Sequence, residues 1–109
     1  MTVNELVKNL SLNPVILPDG DRMVKGVYIG DLLSWVMGRA ECDNAWVTIM
    51  SNLNIVAVAT LADVSCIILA EGVTLEEQVK NTAEAKGVNI LATDKTAYEL
   101  AAALARIGL

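Results

Sequence analysis

A chain of 109 residues holds one hydrophobic core rather than two, and an apolar share of 54% is enough to fill it. The formal charge is −5, from 13 acidic and 8 basic residues, with the basic ones scattered from Lys8 to Arg106. That scatter excludes a nucleic-acid interface, which needs a basic stripe along a phosphate backbone.

Thr2-x-x-Glu5 is a capping box, and Val3, Leu6, Val7 and Leu10 follow at helical spacing, so a short amphipathic helix is expected over 3–10. Asn13-Pro14 closes it, Val15–Leu17 reads as a brief strand, and Pro18-Asp19-Gly20-Asp21 as a turn. Val24–Ile29 is the next expected strand. A helix start at Gly30–Asp31 follows, with the helix running to Met37 and Gly38 as its stop. Trp46–Met50 is β-branched and aromatic, hence a strand. Asn54–Ala62 mixes β-branched residues with alanine and leucine, and it is read as a helix because the strand Val64–Leu69 follows at once. The apolar run Ser65–Leu69 suits a sheet covered on both faces. Thr74-x-x-Glu77 predicts a helix to Lys86, stopped by Gly87. Val88–Ala92 is the last strand, and Thr93 or Asp94 caps a final helix carrying Leu100, Ala101, Leu104 and Ala105. Strands alternating with helices give a single α/β domain over 1–109 with a largely parallel sheet.

The longest apolar stretch, Ile55–Ala62, is far too short for a bilayer. Met1–Glu5 lacks the basic and apolar regions of a signal peptide, so a cytoplasmic protein with no membrane partner is expected. Cys42 and Cys66 are isolated and are read as reduced thiols.

Catalytic equipment is sparse. The chain has no histidine, which removes Ser-His and Cys-His nucleophilic pairs. Gly26-x-x-x-Gly30 lacks the Gly-Lys-Ser/Thr of a phosphate-binding loop. Asp19-Gly20-Asp21 lacks the ligand spacing of a calcium loop, and Glu76–Glu77 point in different directions on a helix, so no metal or cofactor is expected.

Ligand binding is the better prospect. Tyr28, Gly30 and Asp31 at a strand–helix junction, with Trp46 and Thr48 on the next strand, are expected to frame a polar cleft with an aromatic wall. Ser34, Asn52 and Asn54 complete the candidate set. Met50–Asn52 and Ala70–Gly72 would lie at carboxyl ends of parallel strands, where such sheets take ligands. The simpler alternative makes Trp35 and Trp46 core or dimer-interface residues.

Four segments carry a family resemblance: Tyr28-Ile-Gly-Asp-Leu-Leu-Ser-Trp-Val-Met, Ala45-Trp-Val-Thr-Ile, Asn54-Ile-Val-Ala-Val-Ala and Ile67-Ile-Leu-Ala-Glu-Gly. In order and spacing they resemble a DRTGG domain, from about residue 5 to residue 107. Asp21-Arg22 fits the expected position before the strand, although Met23-Val-Lys-Gly does not spell out the family's name. Asn52 stands where a histidine is expected in relatives. The resemblance implies a fold similar to the HPr kinase N-terminal domain. It also implies a regulatory role, since such domains accompany nucleotide-sensing CBS domains in some pyrophosphatases and occur in phosphate acetyltransferase-type proteins. A stand-alone copy resembles a sensor subunit encoded apart from its effector enzyme or kinase. The expected function is thus a non-catalytic, homodimeric module binding a small metabolite, an adenine nucleotide among the candidates, or a partner enzyme. The alternative is an interaction scaffold with no small-molecule ligand.

Overall fold

Alternate strand residues feed two separate apolar clusters, one on each face of a five-stranded sheet, in a computed structural model that describes residues 1–109. The elements are α1 (Val3–Leu10), β1 (Asn13–Ile16), β2 (Val27–Ile29), α2 (Leu33–Arg39), β3 (Ala45–Thr48), α3 (Asn54–Ala62), β4 (Cys66–Leu69), α4 (Glu77–Lys86), β5 (Ile90–Ala92) and α5 (Ala97–Arg106). The sheet order is β1-β5-β4-β3-β2. Strands β2 to β5 are parallel, and β1 runs antiparallel along β5, so the sheet is mixed.

On one face Ala45, Val47, Cys66, Ile68 and Leu91 meet Val3, Leu6 and Leu10 of α1 and Leu100 and Leu104 of α5. On the other, Trp46, Ile67, Leu69 and Ile90 meet Val36 of α2, Ile55, Val56 and Val58 of α3, and Val79 and Ala83 of α4. Each fully buried Leu or Ile in these layers contributes roughly 1.5–3 kcal/mol of apolar transfer. Because β2, β3, β4 and β5 are laid down in one direction, their crossover helices α2, α3 and α4 share a face. The chain after β5 leaves for the opposite face. That change of side positions the site described below.

Several expected boundaries shift. The strand expected at Val24–Ile29 is confined to Val27–Ile29, and Met23 pairs with Thr2 in an isolated bridge. Helix α2 begins at Leu33 rather than at Asp31 and has no side-chain cap, because the Asp31 carboxylate turns toward β3. Gly38 does not stop α2, which continues to Arg39 and ends on an extended Ala40. The Thr74 capping box does not form, since α4 starts at Glu77 behind an uncapped Glu76. The last helix is capped by Thr96 rather than by Thr93 or Asp94, with a complete box to Glu99. The first box, Thr2 with Glu5, forms as expected.

The amino ends of the central strands are tied by Arg22. Its guanidinium donates to Asp43 Oδ1 from Nε at 3.1 Å and from Nη2 at 3.0 Å. Nη2 also donates to Asp63 Oδ1 at 2.8 Å and to the Asp63 carbonyl at 2.7 Å. Asp43 and Asp63 both have left-handed backbones, so Arg22 locks two loops whose conformations carry intrinsic strain. Burial lowers the Arg22 pKa, but Asp63 and Asp43 outweigh it and leave the pKa raised.

Candidate functional site

The carboxyl ends of the four parallel strands form one rim of the molecule. Its β2–β3 side holds most of the residues singled out from sequence, and two pairs of them, Asp31 with Thr48 and Trp46 with Gly30, bind each other. The Asp31 carboxylate accepts from Thr48 Oγ1 at 2.8 Å and from the Ile49 amide at 3.0 Å. Trp46 is fully buried, and its indole N–H donates to the Gly30 carbonyl at 2.9 Å. Trp46 therefore anchors the β2–α2 turn from inside and presents no face to solvent. A Cβ on Gly30 would lie 2.9 Å from the Tyr28 ring, so a larger residue there would have to push the ring aside.

What stays open at this junction is a shallow surface depression of about 520 Å³ lined by Tyr28, Gly30, Asp31, Leu32, Trp35 and Arg39. The Arg39 guanidinium stacks over Trp35, 3.7 Å from the ring centroid. Ser34 lies exposed in the first turn of α2 without a side-chain hydrogen bond. Asn52 is used locally, accepting from the Asn54 amide at 2.9 Å at the start of α3. It also lines a second hollow, of about 500 Å³, between the β3–α3 and β4–α4 loops.

The β4–β5 side differs. The loop after β4 leads to α4 on one face, and the loop after β5 leads to α5 on the other. Adjacent strands whose continuations diverge in this way leave a crevice at their carboxyl ends. Here it measures about 390 Å³ and is lined by Gly72, Val73 and Thr74 on one wall and by Thr93, Asp94 and Lys95 on the other. Antiparallel β1 starts at this end, which adds Asn13, and Ser11 comes from the left-handed cap of α1.

Backbone bonds stitch the two loops beneath the crevice. The Gly72 amide donates to the Thr93 carbonyl at 3.0 Å, and the Glu71 amide to the Lys95 carbonyl at 2.8 Å. Glu71 has a left-handed backbone, φ 63°, and its carboxylate accepts from the Ala97 amide at 2.8 Å, capping α5 from another loop. Gly72 has φ 74°, and a Cβ there would lie 3.3 Å from Asp94 Oδ1. Around this crevice the side chains of Ser11, Asn13, Thr74, Asp94 and Lys95 form no hydrogen bond or ion pair within the protein.

Comparison with known proteins now places the chain. A family model described as the DRTGG domain matches residues 19–107. The chain belongs to the DRTGG domain family. The fold also matches the crystal structure of the CBS and DRTGG domains of the regulatory region of Clostridium perfringens pyrophosphatase, complexed with the activator diadenosine tetraphosphate. The TM-score is 0.75 at 12% identity, covering 94% of this chain and 45% of that one. This DRTGG domain thus spans less than half of the matched structure, and at that identity the likeness is one of fold. No protein of curated function matches the chain in sequence.

Ala70–Gly72 lies at the carboxyl end of β4, as its sequence predicts, whereas nothing in the sequence marks Ser11, Asn13, Thr74, Asp94 or Lys95 as site residues. The missing signal was which face α5 takes after β5. No helix of this DRTGG domain is long and apolar enough to cross a membrane.

Proposed function

We propose that this chain is a cytoplasmic, non-catalytic regulatory module that acts as a homodimer. It takes a small metabolite, an adenine nucleotide among the candidates, at the carboxyl rim of its sheet, and passes that occupancy to a separately encoded enzyme. The main support is the crevice between the β4 and β5 loops, an open hollow in which the side chains of Ser11, Asn13, Thr74, Asp94 and Lys95 are unengaged, in a chain with no histidine. Membership in a family with a member in a pyrophosphatase regulatory region supports the regulatory part.

A second reading, an interaction scaffold without a ligand, draws on the other end of the sheet. Strand β2 is an edge strand, and Ile29, Leu32, Trp35, Met37 and Ile49 are each about half exposed on or near it. An apolar surface beside an unpaired edge suits a protein partner or a second copy. The opposite edge, β1, is blunted by Pro14 and a register shift.

A thermal-shift panel of nucleotides and phosphorylated metabolites separates the readings. A ligand at ~100 times its dissociation constant adds about 2.7 kcal/mol of stability. A shift with one such compound supports the sensor. No shift across the panel, together with capture of a defined partner, favours the scaffold. A monomer at micromolar concentration in sedimentation would remove the homodimer.

A further inference from the structure

We infer that the β4–β5 crevice recognises the vicinal diol of a ribose-type sugar, with the Asp94 carboxylate accepting both hydroxyls. This inference rests on the metabolite-binding reading and sharpens it to one site and one chemical group. The charges around the hollow select the class. A phosphate is disfavoured because the amino end of α5, the helix that follows Lys95, is already answered by Glu71 on the Ala97 amide and by Glu99 in the capping box. Asp94 itself stands at the wall, and the carboxyl end of α1, with its negative dipole, reaches the crevice at Ser11. A simple cation is disfavoured because Lys95 lines the same wall as Asp94 and adds a positive charge to the hollow.

A neutral diol satisfies both groups, donating two O–H bonds to the carboxylate and accepting from the ammonium. A carboxylate at the carboxyl end of a parallel strand, next to a crevice where the chain changes sides, is a geometry that suits ribose hydroxyls. Thr74, Ser11 and Asn13 supply further donors and acceptors around the ring, and Gly72 lets the backbone approach because it carries no Cβ. Asp94 and Lys95 are exposed and hold no other side chain in place, so their state does not decide whether the protein folds.

Isothermal titration with adenosine, 2′-deoxyadenosine and D-ribose, on the wild-type chain and on Asp94→Asn, tests the inference. Adenosine should bind, and 2′-deoxyadenosine should bind about tenfold or more weakly, because one charged hydrogen bond is lost. Asp94→Asn should weaken adenosine by a similar factor with an unchanged Tm. Ribose binding as tightly as adenosine supports the site with free sugar as its source, and adenosine alone supports it with a nucleoside. Equal affinity for the deoxy compound, unchanged affinity in Asp94→Asn, or no heat with any of the three would overturn the diol assignment. The metabolite-binding reading beneath it fails separately, if the wider nucleotide and phosphorylated-metabolite panel gives no thermal shift.

Discussion

Replacing Arg22 by Met tests the clamp that ties the Asp43 and Asp63 loops together. The substitution keeps much of the aliphatic stem and deletes four hydrogen bonds, two to Asp43, one to the Asp63 carboxylate and one to its carbonyl. The Arg22 and Asp43 side chains are each 25% exposed, so their bond counts as a part-buried, charge-assisted pair. The Asp63 side chain is 62% exposed, and that ion pair adds little because solvent screens it. With charged hydrogen bonds at about 1.5–3 kcal/mol when shielded and ordinary ones near 1, the loss comes to roughly 2–3 kcal/mol. A domain of this size loses about 4–8 °C of Tm per kcal/mol, so the midpoint should fall by ~10–20 °C. Urea unfolding of Arg22→Met, Asp43→Asn and the double variant should show a coupling of about 1 kcal/mol or more between the two sites. The sign with pH follows from Asp63, whose carboxyl is held below the usual range by the Cys42 thiol and then by Arg22. A depressed carboxylate stabilises the fold above its unfolded pKa, and that contribution is lost as pH falls through the folded value. Arg22→Met should therefore flatten the acid side of the stability profile. A loss below ~0.5 kcal/mol with no coupling would refute the clamp.

Further outcomes can be checked independently. Thr96→Ala removes the cap of α5 and should cost about 1 kcal/mol in urea unfolding. Since Thr96 hydrogen bonds lower the Glu99 pKa, the variant should also lose part of the acid dependence below the usual glutamate range; an unaltered profile would deny the box that role. Gly72→Ala forces a left-handed alanine against Asp94 and should destabilise by roughly 1–2 kcal/mol, whereas a neutral result would mean that the loop relaxes freely. Burial pushes the Cys66 thiol up to about 12, and the hydrogen bond from Cys42 to Asp63 raises that exposed thiol as well. Ellman's reagent should titrate one thiol in the native protein, more slowly than a free cysteine, and two after denaturation; two in the native state would contradict the packing.

How far the sequence reached depended on the range of each interaction. Helix α1 and its Thr2–Glu5 box were legible because every partner lies within one turn. The same pattern at Thr74 misled, because a capping box predicts a helix only where the chain can turn at that point, and here Thr74 borders the crevice with α4 starting three residues later. The alternation of Trp46 and Ile67 against Val47 and Ile68 was readable as strand, and the two-sided burial followed from it. The antiparallel direction of β1 was not readable, since four residues carry no local mark of which way a neighbour runs. At the site, Tyr28, Gly30, Asp31, Trp46 and Thr48 do converge. Their closure on one another depends on bonds such as Asp31 to Thr48, 17 positions apart, that spacing alone does not reveal. The crevice is less legible still, because it draws on α1, β1 and two loops, and exists only because α4 and α5 lie on opposite faces.

Amide chemical-shift mapping of the metabolite that gives the largest thermal shift tests the central claim most directly. Occupancy at the carboxyl rim predicts the largest changes at Gly72–Thr74 and Thr93–Lys95, with the amides around Arg22, Asp43 and Asp63 unmoved. Changes centred on those amino-end loops instead, or none on the rim at saturation, would contradict it.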